Sequence, residues 1–246
     1  MEARPIPRPI PPQVVVVIGP PGAGKGTQCG RAAAGPGIVH LSTGDALRDA
    51  IRAGTPLGDR VAAEIEDGGL VPDEIVLQVV SDTLDAMAAD EVALLDGFPR
   101  TVAQADGLVG RLAAPPALAL ELRVTSDELG ARLARRVVCT RCGRPGTRRS
   151  ASQNLRAVCP CGGTMEHRVD DLPDRLERRM ATFDHEHRRV VDRLRHAGTP
   201  HLVLDGSRPA EDVAAAFASA LAVHTGHGAP GSARPAPRTI GLGLRL

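Results

Sequence analysis

Apolar residues along this chain fall into short unbroken runs separated by longer stretches of helical period. Val14–Ile18, Ile38–Leu41, Val92–Asp96, Ala117–Leu122 and His201–Leu204 have strand length and are rich in valine, isoleucine and leucine. Between them, Asp73–Ala89 is apolar at Ile75, Val79, Val80, Leu84 and Met87. Pro173–His196 carries Leu176, Met180, Phe183, Val190, Val191 and Leu194, mostly three or four apart. Strand and helix in alternation predict an α/β fold, a three-layer parallel sheet wrapped by helices. Ligands of such sheets bind outside the carboxyl ends of the strands. Two stretches break the alternation: residues 42–70 read as short helices, and residues 137–171 carry cysteine and arginine with little periodicity. Both are expected to be lobes inserted into a core of residues 13–41, 71–136 and 172–223. Pro5, Pro7, Pro9, Pro11 and Pro12 predict an extended leader over residues 1–12. Residues 224–246, rich in Gly, Pro and Ala, predict a disordered tail.

The first strand runs into Gly19-Pro-Pro-Gly22-Ala23-Gly24-Lys25-Gly26-Thr27-Gln28. A strand, a glycine-rich turn ending in lysine and a following helix form a phosphate-binding loop. Glycine lets successive backbone N–H groups curl toward an anion, and the helix terminus and ammonium add positive field. The usual pattern sets Ser or Thr directly after the lysine; here Gly26 stands there and Thr27 follows. Residues 22–27 are the expected nucleotide-phosphate contacts.

Bulk properties narrow the partners. With 246 residues, 24% charged and 42% hydrophobic, the chain is long enough for one large domain with insertions. A net charge of +1 gives no electrostatic case for nucleic acid or membrane. No apolar run reaches the ~18 residues of a membrane span, and no signal-like stretch precedes Val14, so a cytoplasmic location is expected. Three Phe and no Tyr or Trp leave Ala, Val and Leu to fill the core.

Further candidates follow the second and third strands. Ser42-Thr43-Gly44-Asp45 with Arg48 can cap a helix, or offer a hydroxyl to a base or ribose and a guanidinium to a phosphate. Asp96-Gly97-Phe98-Pro99-Arg100-Thr101, with Gln104 one helical turn on, decides between them. A carboxylate at a strand end can anchor the waters of Mg²⁺, Gly97 permits close approach, and Pro99 stiffens the turn that aims Arg100. These motifs, with Gly69-Leu70-Val71-Pro72-Asp73-Glu74, resemble the adenylate kinases in their long-lid form, over roughly residues 14–222.

The resemblance implies an AMP-binding lobe at 42–70, a lid at 137–171 and phosphoryl transfer between ATP and AMP, giving ADP. It implies that Gly22, Ala23, Gly24, Lys25, Gly26, Thr27, Arg132 and Arg208 bind ATP. Thr43, Arg48, Gly69, Leu70, Val71, Gly97, Phe98, Pro99, Arg100, Gln104, Arg168 and Arg179 would surround AMP. Asp96 and Asp45 would hold the waters of Mg²⁺. Lys25, Arg100, Arg132, Arg136, Arg168 and Arg179 would carry catalysis, with Arg132 and Arg136 on one helix face at the lid entrance. The loose, charge-spread transition state of phosphoryl transfer asks for positioning and cations more than for a general base. A monomer is implied as well.

Cys139-x2-Cys142 and Cys159-x-Cys161 bracket the proposed lid, where the family often holds a structural Zn²⁺. Clustered thiols without an export signal favour a metal over disulfides. The Cys-Pro-Cys pair is one residue tighter than the usual Cys-x-x-Cys, which leaves open a lid of free thiols with His167 as a substitute ligand. Cys29 reads as a small buried residue. Between Cys142 and Cys159 there is no aromatic, where family members usually place a Tyr-His pair. Two other functions fit parts of the pattern: a kinase for UMP or CMP, and a nucleotide-dependent zinc-ribbon module that binds nucleic acid. Thr43, Thr101 and Gln104 lean toward AMP, and the absence of stacking aromatics counts against nucleic acid.

Overall fold

A computed structural model describes residues 12–148 and 158–227. The proposed leader, except Pro12, and the proposed tail beyond His227 lie outside the described residues. Five strands form one parallel sheet in the order β2-β3-β1-β4-β8: β1 Gln13–Ile18, β2 Ile38–Ser42, β3 Val92–Asp96, β4 Leu118–Arg123 and β8 His201–Asp205. All five expected strands are present, with ends shifted by one residue at most.

Alternation within each strand explains the three layers. Val14, Val16 and Ile18 of β1 enter one apolar cluster, with Val76, Val79 and Leu84 of α4 (Asp73–Asp85), Leu108 of α5 (Val102–Arg111) and Val190 and Leu194 of α7 (Pro173–His196). Val15 and Val17 enter the other, with Cys29 of α1 (Lys25–Ala32), Leu129 of α6 (Ser126–Arg135) and Val213, Phe217 and Leu221 of α8 (Ala210–Thr225). Burial on both faces is why the central strands β1, β3 and β4 read as continuous apolar runs, whereas Leu202 and Val203 of the edge strand β8 stay exposed. Aliphatics do fill the core, Phe98 and Phe217 being the large aromatics inside it.

The two breaks in the alternation have different contents. Residues 42–70 hold α2 (Thr43–Arg52) and α3 (Pro56–Glu66), capped by Ser42 and Thr55 side chains. Residues 136–167 hold a small antiparallel sheet, β6-β5-β7, from β5 Arg136–Cys139, β6 Pro145–Thr147 and β7 Met165–His167. Strands this short give no usable period, so the sheet was not legible beforehand.

Three boundaries differ from expectation. Helix α4 stops at Asp85 rather than Ala89, because the N–H groups of Ala86 and Met87 fold back onto the last turn and Glu91 accepts from Ala88 N–H. Arg136 does not share a helix face with Arg132: α6 ends at Arg135, and Arg136 turns extended where the β-branched Val137-Val138 begins. Helix α8 continues through His224 to Thr225, which is buried and returns its hydroxyl to Leu221 O at 2.8 Å.

A buried charge cluster joins sheet and helix beside the start of the phosphate loop, where Glu121 stands opposite Ile18. Glu121 of β4, 2% exposed, accepts from Arg123 at 2.7 Å and His201 at 2.8 Å, with His187 of α7 at 3.2 Å. Burial opposes its charge, but His187 and Arg123 outweigh it and bring its carboxyl down to about 2. A depressed carboxylate contributes stability above its unfolded value and loses it as pH falls toward the folded one. Glu121→Gln is therefore expected to cost about 1–2 kcal/mol at pH 7. Thermal unfolding between pH 7 and 2 checks this: the gap between variant and native midpoints should close below pH 4.5.

Candidate functional site

The carboxyl ends of β1, β2, β3 and β8 open onto one cleft of about 800 Å³. Its floor is the phosphate loop. Gly24 takes φ 94° immediately before α1, a left-handed conformation that L side chains avoid, and so turns the N–H groups of the next residues toward the cleft. A Cβ on Gly22 would lie 2.9 Å from Leu133, so the loop seats against α6 only with glycine there. Gly22, Ala23, Gly24, Lys25, Gly26 and Thr27 all line the cleft.

Lys25 Nζ donates to Gly19 O at 2.7 Å and Pro20 O at 3.0 Å. Burial pulls its ammonium down to about 8, Asp96 resists, and Arg100, Arg179 and Arg136 push further down. A phosphate beside it would raise that value again. Binding that favours the protonated form is flat in pH below the free value and weakens above it. ATP affinity measured calorimetrically is accordingly expected to be constant below pH 8 and to fall as pH climbs past it.

Arg48, Arg100, Arg132, Arg136, Arg168 and Arg179 line this same cleft. Burial, with Arg179 and Arg48 alongside, brings Arg100 down to about 10. Burial and Arg48 do the same to Arg168. Both stay charged at neutral pH, held close to like charges, an arrangement that favours an incoming anion. The cluster is held by two carboxylates, Asp170 and Asp171, to which the sequence motifs assign no role. Asp171 accepts from Arg136 Nε at 2.6 Å and Arg179 at 2.8 Å. Asp170 stands 3.2 Å from Arg168, 3.1 Å from Arg179 and 3.5 Å from Arg48. Burial opposes its charge, yet these arginines hold its carboxyl below the usual range. The signal was present: Val169-Asp170-Asp171 stands between two arginines already singled out.

On the α2–α3 side, Thr43 is buried and donates to Gly97 O at 3.2 Å, and Arg100 Nε donates to the same oxygen at 2.7 Å. A Cβ on Gly44 would lie 3.0 Å from Arg48 and 3.5 Å from Arg100, so this glycine, absent from the expected set, makes room for both guanidinium groups. Gly69, Leu70, Val71 and Gly97 line the cleft. Pro99 lines a smaller adjoining cavity of about 100 Å³. The Phe98 side chain lies in the core, 1% exposed, rather than at the cleft. Gln104 lines the cleft, but its amide is engaged: Nε2 donates to Asp73 at 2.7 Å and Oε1 accepts from Arg100 N–H at 2.7 Å. One N–H of Nε2 and one lone pair of Oε1 are left for a purine edge. Thr101 caps α5 and donates to Asp73, a structural task.

Asp96 ends β3, 8% exposed, at the edge of the phosphate loop; a Cβ on Gly26 would stand 3.1 Å from its Oδ2. Asp45 also faces the cleft but is ion-paired with Arg48. Arg132 bridges the loop and the β8–α8 turn, donating to Ala23 O at 3.5 Å and Gly206 O at 2.8 Å, and pairs with Glu128 at 2.8 Å. Arg208 pairs with Asp212 at the outer rim.

In the small sheet, Cys139, Cys142, Cys159 and Cys161 bring their sulfurs within 4.8 Å of one another. Cys139 and Cys161 are 3.5 Å apart, Cys142 and Cys159 3.7 Å. A tetrahedral centre with Zn–S bonds of ~2.3 Å needs sulfur separations of about 3.8 Å, so the donor set fits. The tighter Cys-Pro-Cys pair reaches because Gly162-Gly163 completes its turn: Gly162 N–H returns to Cys159 O, and a Cβ on Gly163 would collide with Cys139 Sγ at 2.6 Å. The N–H of Cys142 on Cys139 Sγ brings that thiol down to about 6. His167 is turned away and accepts from Arg148 at 2.9 Å. No helix among the described residues is long and apolar enough to cross a membrane.

Comparison with known proteins agrees with this geometry. A family model described as adenylate kinase matches residues 17–199. The adenylate kinase of Rhizorhabdus wittichii is 40% identical over 212 residues, 84% of this chain and 98% of the relative. That of Magnetococcus marinus is 43% identical over 176 residues, covering 69% and 81%. That of Gemmatimonas aurantiaca is 36% identical over 216 residues, covering 85% and 99%. The chain belongs to the adenylate kinase family, the ATP:AMP phosphotransferases, and neither the pyrimidine-kinase nor the nucleic-acid reading is favoured.

Proposed function

We propose the following division of labour for the transfer of the terminal phosphoryl group of ATP to AMP. The phosphate loop and Lys25 hold the donor phosphates, with Arg132 and the Gly206–Arg208 turn on the adenosine side. Arg48 and Arg100 hold the acceptor phosphate, while Arg136, Arg168 and Arg179 close around the moving phosphoryl group. Thr43, Gly69, Leu70, Val71, Gly97 and the free N–H of Gln104 surround the AMP nucleoside. Residues 42–70 form the AMP-binding lobe and residues 137–171 a lid that excludes water as a competing acceptor.

The observation that carries this reading is the convergence of six arginines and Lys25 on one cleft beside the glycine turn. Cations fixed before the substrate arrives stabilise developing charge without reorganisation. When bound, Mg²⁺ would supply further charge on the donor oxygens, and Asp96 would be the residue that holds its waters. Asp45 serves it less directly, since Arg48 already neutralises its carboxylate. No base is required, because the nucleophile is an anionic phosphate. ADP formed from ATP and Mg²⁺ with AMP, UMP or CMP as acceptor tests the assignment; turnover that prefers a pyrimidine monophosphate would overturn it.

The four lid cysteines hold a structural Zn²⁺ in this reading, the chain acts as a monomer in the cytoplasm, and nucleic acid is not a partner. Metal analysis should find zinc in the protein as purified. A strong chelator is expected to remove it and lower the thermal midpoint, by about 2–4 °C for each kcal/mol lost. Added Zn²⁺ should restore it. A midpoint indifferent to chelation would leave the lid as a set of free thiols.

A further inference from the structure

A second group of metal-ligating side chains stands at the cleft itself. Cys29, His40 and Asp96 bring one ligand atom each within 4.8 Å of one another, and His40 Nε2 lies 3.2 Å from Asp96 Oδ2. Three different elements deliver them. His40 and Asp96 project from the same sheet face, because β2 and β3 pair with Ser42 opposite Asp96 and His40 two residues before Ser42. Cys29 comes from α1, which covers that face, and its side chain is buried with Val92 and Leu94. His40 and Asp96 line the cleft, whereas Cys29 is fully buried and does not line it. Neither Cys29 nor His40 has a task in the phosphoryl transfer described above.

We infer that Cys29, His40 and Asp96 form an inhibitory binding site for a borderline-soft divalent cation of the Zn²⁺ class. The donor set is one sulfur, one imidazole nitrogen and one carboxylate oxygen. Zn²⁺ accepts this mixture at tetrahedral ligand separations of roughly 3.3–3.8 Å, and three protein ligands leave a fourth position open. That position faces the cleft and accepts water or a nucleotide phosphate oxygen. Binding replaces the Cys29 thiol proton, which leaves to solvent. Mg²⁺ has the opposite preference, taking oxygen ligands and keeping its waters. It gains nothing from sulfur and imidazole, so the pocket discriminates between the two ions by donor type.

The consequence follows from Asp96 being shared. Its carboxylate cannot lie in the pocket as a zinc ligand and also receive the waters of nucleotide-bound Mg²⁺. A Zn²⁺ ion in the pocket therefore withdraws Asp96 from the reaction and places a fixed dication next to Lys25. The site itself is independent of the assigned roles; only the inhibitory effect rests on the proposed part of Asp96.

The test uses the full chain with its lid cysteines saturated by zinc beforehand. Equilibrium dialysis against buffered free Zn²⁺ should find one more metal equivalent in the native protein than in Cys29→Ser or His40→Gln. Co²⁺ added to the zinc-loaded native protein should give a thiolate charge-transfer band that Cys29→Ser lacks. In the ATP–AMP–Mg²⁺ assay at fixed free Zn²⁺, each variant should need at least about tenfold more zinc for half-inhibition, since even outer partners of metal ligands are worth that much. Turnover without added zinc shows that both variants are folded. Equal metal content in native protein and both variants sinks the site. An extra equivalent in the native protein, with the same half-inhibiting zinc in all three, sinks the inhibitory role and with it the part given to Asp96.

Discussion

Lys25→Met is expected to lower kcat by about 10³-fold, the scale on which single preorganised charge-stabilising groups and phosphoryl-transfer cations act. Methionine keeps the length and apolar stem, so the loop can still fold around Gly24. What is lost is the one ammonium at the centre of the cleft, close to Asp96 and to three of the arginines. Lys25→Arg is not expected to rescue activity. Its planar fork does not fit where Nζ now contacts Gly19 O at 2.7 Å and Pro20 O at 3.0 Å. Steady-state kinetics with AMP saturating reads the effect directly. A loss below tenfold with an unchanged KM for ATP would show that Lys25 is a structural support for the loop and does not touch the reacting phosphates.

Asp170→Asn is expected to destabilise the protein by about 3–5 kcal/mol, the usual result of removing one partner from a buried ionic cluster. Asp170 is 7% exposed and counters Arg168, Arg179 and Arg48 together. Without it these guanidinium groups repel one another at short range, and the thermal midpoint should fall by roughly 10 °C. The discriminating readout is rescue: inorganic phosphate or AMP should raise the midpoint of the variant more than that of the native protein, because an anion in the cleft takes over the missing charge. A midpoint change under ~2 °C without phosphate rescue would mean that Asp170 does not hold the cluster. In the native chain the sign of the pH effect is fixed by the lowered carboxyl. The stabilisation is complete above the unfolded value of 3.8 and disappears as pH falls below it.

Both predictions concern a site whose cations were legible in the sequence and whose counter-charges were not. Lys25, Arg48 and Arg100 lie inside contiguous motifs whose local geometry carries their meaning: a glycine turn, a capped helix start, a proline-stiffened bend. Asp170 and Asp171 acquire their role only because α7 returns Arg179 to the turn that follows β7. Gly44 is silent in the same way, since its importance is the space it leaves for Arg48 and Arg100, which sit on different elements. Gln104 shows the converse. Its amide keeps only one side for a purine edge because Asp73, on a different helix, holds the other, which no local run of residues reveals.

The chain by itself determined its layers, because apolar runs buried on both faces and helices of clear period leave one architecture open to them. It also determined the phosphate loop, since a turn needing left-handed glycine beside a lysine is specified by neighbours in sequence. Tertiary structure alone decided three things: that Arg136 belongs to a strand and not to α6, that Cys-Pro-Cys closes a four-sulfur set, and that Cys29, His40 and Asp96 meet. Each depends on distances between elements far apart in the chain, and such distances are set by how sheets and helices pack, for which no local run of residues carries a signal.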